Sequence, residues 1–455
     1  MTKYRTRQWF WIAVYFVLVF APLLILLFAP RPAGRTFWRE LSVSLGFAGL
    51  ALMGLQFIPT ARLPFLGEVF PLDTLYDVHH RLSIIAFLLT LAHPLILFIQ
   101  NPYTLRLLNV VTAPWRARAA VAATVLLILL VATSVKRLAL GLSYELWRWL
   151  HDLFSVGIAA FALYHVLNVN YYTSVPIQRG LWIALGLVWA AMIFYIRIIK
   201  PWQILRRPYQ VVEVIKERGK TWSLVLEPVG HSGVPFRAGQ VAWLSLGHSP
   251  FRIEEHPFSY ASSDSHPERV VFAIKELGDF TSAVGSVQPG TKAYIDGPYG
   301  TFDLDHHVGT DYVFIAGGIG SAPIMGMLRT LADRKDKHSL QFFYGNPTWE
   351  EVIFRKELDA LQTKLNLEVI HVLENPPQNW EGESGYITKD VLQRHLSCDY
   401  RNCTYFICGP LPMIVSVERS LEELAVSRRQ VHELSRKRAF ELARRRIFSE
   451  SYKMA

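Results

Sequence analysis

Four histidines stand in sequence otherwise too apolar to carry charge: His79 and His93, then His151 and His165, each pair fourteen residues apart. At 100° per residue, fourteen steps along an α-helix return to within about 40° of the same face, about 21 Å further along the axis. Ionisable groups in such surroundings are rare and usually functional. A single histidine there would be read as an interhelical hydrogen-bonder. Two pairs with one spacing instead give two stacked sites of two imidazoles each, the arrangement that bis-imidazole ligation of two haems requires. His80 lies thirteen residues from His93, about 140° out of phase, and is the poorer ligand.

Two further groups of residues suit nucleotide chemistry. The first is His256-Pro257-Phe258-Ser259, followed by Lys275, Gly278, Phe280 and Thr281, and then by Gly297-Pro298-Tyr299-Gly300. Phe258 offers a flat apolar face to an isoalloxazine, and Ser259 a hydroxyl beside it. Gly278 with Thr281 can open a short helix whose free N–H groups receive a pyrophosphate. Taken singly, these are a strand edge and a turn; their order makes them informative. The second group is Gly317-Gly318-Ile319-Gly320-Ser321-Ala322-Pro323, a glycine-rich turn where backbone can approach phosphate closely. Cys408-Gly409-Pro410 follows much later, and Cys408 alone would be a small buried residue.

The elements that must position these residues are legible in composition. Of 455 residues 51% are hydrophobic and only 18% charged, which excludes a disordered chain and argues against a wholly soluble one. Six stretches contain no Asp, Glu, Lys or Arg: 8–30, 41–61, 82–105, 119–135, 153–178 and 180–196. Each is long enough to cross a bilayer. The first follows the basic segment MTKYRTR, but its apolar run is too long for a signal peptide and is read as a retained helix. Six spans put both ends of the bundle's chain on one side. Ten Lys/Arg then fall at the inner end and seven at the outer, a bias of the right sign but small. With one span between them, the third and fifth helices run in the same direction, so His79 matches His151 in depth and His93 matches His165.

After residue 204 the pattern changes to period two. Short alternating segments from Tyr209 to Asp296 suggest a small antiparallel barrel. From Tyr312 buried strands alternate with helices, which argues a parallel α/β sheet. The net charge is +10, and residues 428–446 hold eight Lys/Arg against two Glu. This basic helix suits solvent or anionic lipid better than nucleic acid. Cys398, Cys403 and Cys408 are too few for a disulfide framework and suggest a reducing compartment.

Six helices with paired histidines, then HPFS, GPYG, GGIGSAP and CGP in that order, resemble the ferric reductase and NADPH oxidase superfamily, with a soluble half similar to ferredoxin–NADP reductase. The resemblance implies a multidomain membrane protein: a six-helix transmembrane haem-binding bundle (1–204), an antiparallel β-barrel FAD domain (205–305) and an α/β parallel-sheet NAD(P)H domain with the basic C-terminal helix (306–455). It implies FAD held by His256, Pro257, Phe258, Ser259, Lys275, Gly278, Phe280 and Thr281. It places nucleotide phosphates at Gly317, Gly318, Gly320 and Pro323, and the reactive ring at Cys408 and Gly409, with Ser259 and Cys408 as the catalytic pair. The implied ligands of two b-type haems are His79, His93, His151 and His165. The expected activity carries electrons from NADPH or NADH on the cytoplasmic side of a bacterial-type inner membrane to an acceptor outside. That acceptor is O2, a ferric chelate or a periplasmic protein, and the short outer loops offer no domain to dock the last. Where the family often has Thr, this chain has Ser259. The aromatic that covers the flavin is unassigned, and no Arg directly follows Phe343-Tyr344-Gly345-Asn346 to select NADPH.

Overall fold

The computed structural model describes residues 2–28, 32–67, 69–70, 72–397, 399–426 and 430–433. They form two compact units that divide between Pro201 and Trp202. Cys398 and most of the basic segment 428–446 lie outside the described residues.

The first unit contains six long helices: α1 (Thr2–Phe28), α2 (Phe37–Leu55), α3 (Leu72–Gln100), α4 (Trp115–Val135), α5 (Tyr144–Val169) and α6 (Pro176–Phe194). All six are long and apolar enough to cross a membrane. α2 packs along α3, and α4 along α5. Glycine permits the first of these contacts: a Cβ at Gly46 would sit 3.1 Å from the His93 ring, and one at Gly49 would sit 2.9 Å from the Thr90 amide. Small residues at a helix crossing let backbones approach where lipid offers no hydrophobic drive for association. Pro94 lies inside α3 directly after His93 and removes one internal N–H there.

The second unit begins with a curled six-stranded antiparallel sheet. Its strands are β1 (Tyr209–Lys216), β2 (Thr221–Pro228), β3 (Val241–Leu246), β4 (His256–Ser259), β5 (Val270–Lys275) and β6 (Lys292–Tyr299). Their order is β4-β3-β6-β1-β2-β5, and a bridge between Tyr260 and Phe272 draws the two edges together. Tyr209, Leu224, Leu244, Phe258, Phe272 and Ala293 fill the interior. A short helix α7 (Asp279–Ala283) follows β5.

A parallel sheet completes the unit, in the order β10-β9-β8-β7-β11-β12. It comprises β7 (Tyr312–Gly317), β8 (Leu340–Asn346), β9 (Leu367–Leu373), β10 (Glu383–Ser384), β11 (Thr404–Cys408) and β12 (Val431–Glu433). Its helices are α8 (Ser321–Asp333), α9 (Arg355–Lys364), α10 (Lys389–His395) and α11 (Leu411–Glu423). β7 has β8 on one side and β11 on the other, so the chain order reverses between β7 and β11. Ligands of open α/β sheets bind outside the strand carboxyl ends at such a reversal. Phe302 and Leu304, leaving the barrel, share a core with Phe314, Met327 and Phe406, which joins the two sheets into one unit.

Candidate functional site

The four membrane histidines meet as their spacing requires. His79 on α3 and His151 on α5 face each other with ring centres 6.3 Å apart and planes at 62°. That separation would let the two imidazoles hold one metal ion between them. His80 is exposed, so the helical phase selects His79. Fourteen residues further along the same two helices stand His93 and His165.

The second nitrogen of three rings is already committed. His93 Nδ1 lies 2.9 Å from the Ser42 carbonyl oxygen, and His165 Nδ1 lies 2.8 Å from that of Arg116. A carbonyl only accepts, so each Nδ1 carries the proton and each Nε2 keeps a lone pair. Ser134 Oγ donates to Leu130 O at 2.7 Å, which leaves it to accept from His151 Nδ1 at 3.1 Å and from Trp147 Nε1 at 3.3 Å. His79 Nδ1 is buried with no hydrogen-bond partner. Metal-bound imidazoles have this outer-shell pattern, one nitrogen donating to the protein and the other free to ligate. The residues fit axial ligation. Sequence reasoning missed Ser42, Ser134 and the Arg116 carbonyl; the polar Ser42 within an apolar span was the available signal.

In the barrel, His256 stacks on Phe280 with centroids 3.9 Å apart, and Phe258 lies 6.0 Å from the same ring. The Phe258 ring is only 7% exposed and belongs to the barrel interior, so most of its surface faces the core. Pro257 is half-buried, opposite Trp243 in the β3–β4 pairing. The Ser259 hydroxyl is half-buried and has no protein partner among the described residues, as suits a group left for a ligand. Thr281 acts differently from the sequence expectation. Its Oγ1 accepts from Leu277 N at 2.8 Å and from Gly278 N at 2.9 Å, so the N-cap amide of the short helix is engaged within the turn. Lys275 is likewise engaged, 3.1 Å from Glu351 of the parallel-sheet domain.

The glycine turn after β7 and the CGP turn after β11 are built against each other. A Cβ at Gly320 would overlap the Cys408 carbonyl, one at Gly317 would sit 2.7 Å from Met413 Sδ, and one at Gly409 would sit 3.0 Å from Gly317 N. Gly318 alone faces open space, with φ +53°. Three glycines therefore close the seam between the turns, and only Gly318 keeps backbone bare toward a ligand. Pro323 is buried in the first turn of α8, where its missing N–H costs nothing. Ser321 Oγ is paired with the Tyr344 hydroxyl at 3.0 Å. Cys408 is 3% exposed, and burial pushes its thiol up to about 12, so it is a neutral neighbour of the crevice, with no thiolate to act as a nucleophile. At the same carboxyl edge, burial holds His371 down at about 4, its Nδ1 unpartnered and its ring 5.0 Å from Trp349.

Residues 45–162 match the family described as ferric reductase like transmembrane component, and residues 314–419 match the oxidoreductase NAD-binding domain. Among curated proteins, the chain is 32% identical over 241 residues to the reductase component of propane 2-monooxygenase from Mycolicibacterium smegmatis, covering 51% of this chain and 67% of that protein. It is 30% identical to NADH-cytochrome b5 reductase 1 of Kluyveromyces lactis over 156 residues, 34% of this chain and 56% of that one. It thus spans about half the length of the cytochrome b5 reductases it matches. A solved flavohemoglobin from Malassezia yamatoensis is 17% identical with a TM-score of 0.47, covering 88% of this chain and 99% of its own. The apolar helices with their facing histidines, the curled sheet and the parallel-sheet domain thus stand in one order on one chain: it is a multi-pass membrane protein that belongs to the ferric reductase and NADPH oxidase superfamily, with a ferredoxin–NADP reductase-like module.

Proposed function

We propose that the chain is a transmembrane flavocytochrome that moves electrons from NAD(P)H, with FAD and two b-type haems, to an oxidant at the end of the bundle away from Lys200. The observation that carries this reading is the hydrogen-bond commitment of His93, His151 and His165, which leaves each Nε2 free on a helix paired with another histidine helix. A flavin splits a hydride into single electrons and haems carry them one at a time, so the cofactors supply the redox chemistry. The chain's own work is placement. The free Ser259 hydroxyl is left to contact the flavin ring, Gly318 exposes backbone to the nucleotide phosphates, and buried Cys408 walls the crevice beside the nicotinamide. FAD and nucleotide bind on the cytoplasmic side of a bacterial-type inner membrane.

O2, reduced to superoxide, is the first reading of the acceptor, and a ferric chelate is the second, favoured by the seven arginines against the single acid Glu40 in segments 29–40, 101–118 and 170–180. The test is direct. Purified protein is given NADPH or NADH under argon while haem absorbance is followed, and then O2 or a ferric chelate is admitted. Haem that is not reduced by either nucleotide would refute the proposal.

A further inference from the structure

The glycine turn opens helix α8, and the rest of that helix is fastened to the chain that leaves β4 just beyond Ser259. The fastening residues are 326, 329, 330 and 334, a spacing that puts them on one helical face. A Cβ at Gly326 would sit 2.7 Å from the Tyr260 carbonyl oxygen, so the two backbones touch. Thr330 is fully buried, and its Oγ1 accepts from Asp264 N at 3.1 Å. Arg334 reaches Asp264 at 3.0 Å and Asp305 at 2.8 Å. These three contacts dock the helix, and Arg329 does something different.

The pairing between the β4 chain and β5 is broken beside Arg329. Ala261 N donates to Val271 O at 2.8 Å, but Val271 N turns to Ser262 Oγ at 3.1 Å. In an unbroken antiparallel pair the Ala261 carbonyl would receive that N–H. It is instead released from the ladder, in a residue with no exposed surface, and Arg329 Nη1 donates to it at 2.5 Å. The rest of the guanidinium forks onto Glu357 in the first turn of α9, through Nε at 2.7 Å and Nη2 at 2.6 Å. The Phe354 ring lies 5.2 Å from the guanidinium carbon. One rigid planar group, with all three nitrogens engaged, therefore joins the strand end carrying Ser259, the helix carrying the nucleotide turn, and the helix after β8. Docking α8 does not require a ladder carbonyl; a fixed distance between strand end and helix does.

We propose that Arg329 is a positioning residue for hydride transfer: through the Ala261 carbonyl and the Glu357 carboxylate it sets the flavin-side strand end against the nucleotide turn. The inference rests on the functional reading above in that flavin meets Ser259 and nucleotide meets Gly318. Ala261 is two residues beyond Ser259, and Arg329 is nine residues beyond Gly320, about 13 Å along the helix. The step moves a hydrogen with its electron pair from the dihydronicotinamide, oxidised by two electrons, to the flavin, reduced by two. It needs the reacting atoms about 3–3.5 Å apart, and a misplacement of about 1 Å costs about a hundredfold in rate. A slack link at Arg329 shifts the two rings without removing any group that touches them, so the defect falls on the rate and spares binding.

The experiment uses the full holoprotein in nanodiscs. Stopped-flow under argon follows flavin reduction across NADPH and NADH concentrations in wild type, Arg329→Met, Arg329→Lys, Glu357→Gln and Arg334→Met. Arg329→Met should lower the limiting rate by about ten- to hundredfold. Its apparent Kd should stay within about twofold of wild type, its flavin and haem content should be unchanged, and the long-wavelength charge-transfer band between the two rings should weaken. Arg329→Lys, which keeps the charge and one donor arm, should recover part of the rate, and Glu357→Gln should lose less of it than Arg329→Met. Arg334→Met, which loosens the same helix at an exposed position, should lower the melting temperature and leave the limiting rate alone. In resting protein without nucleotide, hydrogen exchange at the Ala261 and Val271 amides should quicken in Arg329→Met and not in Arg334→Met. A wild-type limiting rate in Arg329→Met, equal slowing in Arg334→Met, or a loss confined to Kd would overturn the proposal. If Arg329→Met does not hold flavin, Arg329→Lys and Glu357→Gln against Arg334→Met decide it by the same criteria. Failure of both nucleotides to reduce wild-type flavin would count against the function proposed above. The exchange measurement would still decide whether Arg329 holds the strand, and unchanged exchange in Arg329→Met would overturn that.

Discussion

Gly320 and Gly318 look interchangeable in a glycine-rich turn, but the structure assigns them opposite consequences. A Cβ at Gly320 would overlap the Cys408 carbonyl oxygen and come within 2.9 Å of Gly409 N. Every obstacle is backbone, so Gly320→Ala forces the turn after β7 away from the turn after β11. Overpacking of this kind costs about 1–3 kcal/mol, and it falls on the crevice itself. If that strain is relieved by opening the crevice, nucleotide affinity falls by about five- to hundredfold. At Gly318 the added methyl meets nothing, and only the φ of +53° penalises it, about 1 kcal/mol. Both variants should retain the full haem spectrum, since the histidines belong to the other unit. Stopped-flow flavin reduction across NADPH and NADH concentrations reads the apparent Kd, and a thermal melt reads stability. The expected ranking is wild type, then Gly318→Ala close behind, then Gly320→Ala well below. Gly320→Ala with wild-type affinity and stability, or Gly318→Ala as the worse of the two, would show that the seam between the turns is not what the glycines serve.

Other outcomes follow from the same geometry. A pyridine haemochrome assay should give two haems per flavin, falling to one in His151→Leu and in His165→Leu, and no loss in either would remove the histidines from ligation. Ser134→Ala should weaken haem retention at the His79–His151 level by about tenfold, the usual scale of an outer-shell loss; Ser42→Ala should do less, because the Ser42 carbonyl still receives the His93 proton. Cys408, with its thiol held near 12 by burial, should resist iodoacetamide at pH 8 in the folded protein and react after unfolding. His371, held near 4 against an ordinary 6.5, binds its proton more readily in the unfolded chain; the stability it contributes is complete above pH 6.5 and is lost as pH falls toward 4, by up to about 3 kcal/mol. His371→Leu should flatten the melting temperature across that range, and an unchanged slope would place the acid sensitivity elsewhere.

The spans and the histidine phase were legible because both are local properties, absence of charge and a repeat counted along one helix. The strands of both sheets were legible for the same reason. What escaped were partners supplied from far along the chain. Ser42 and Arg116 reach His93 and His165 across 51 and 49 residues, and no spacing rule marks a backbone carbonyl as a receiver. In sequence Gly320 reads as bare backbone for a phosphate; in the structure the surface an added side chain would meet is the end of β11. Lys275 reads from sequence as a neighbour of the flavin, and its carboxylate partner lies 76 residues away. Thr281 reads as part of a pyrophosphate-binding turn, and its hydroxyl closes that turn on itself. In each case the residue type was informative and its partner was not, because the partner is chosen by the packing of whole elements.

The crevice between β7 and β11 also orders events during synthesis. Tyr312 pairs with Thr404, so the two walls are separated by a loop of about ninety residues, and the second wall cannot form until that loop is made. At about 5–20 residues per second, β11 leaves the ribosome about 5–20 s after β7. Until then the turn at Gly320 has no Cys408 carbonyl to close against. A nascent chain therefore cannot close the glycine seam of the crevice until β11 has been made, after every strand of the curled sheet.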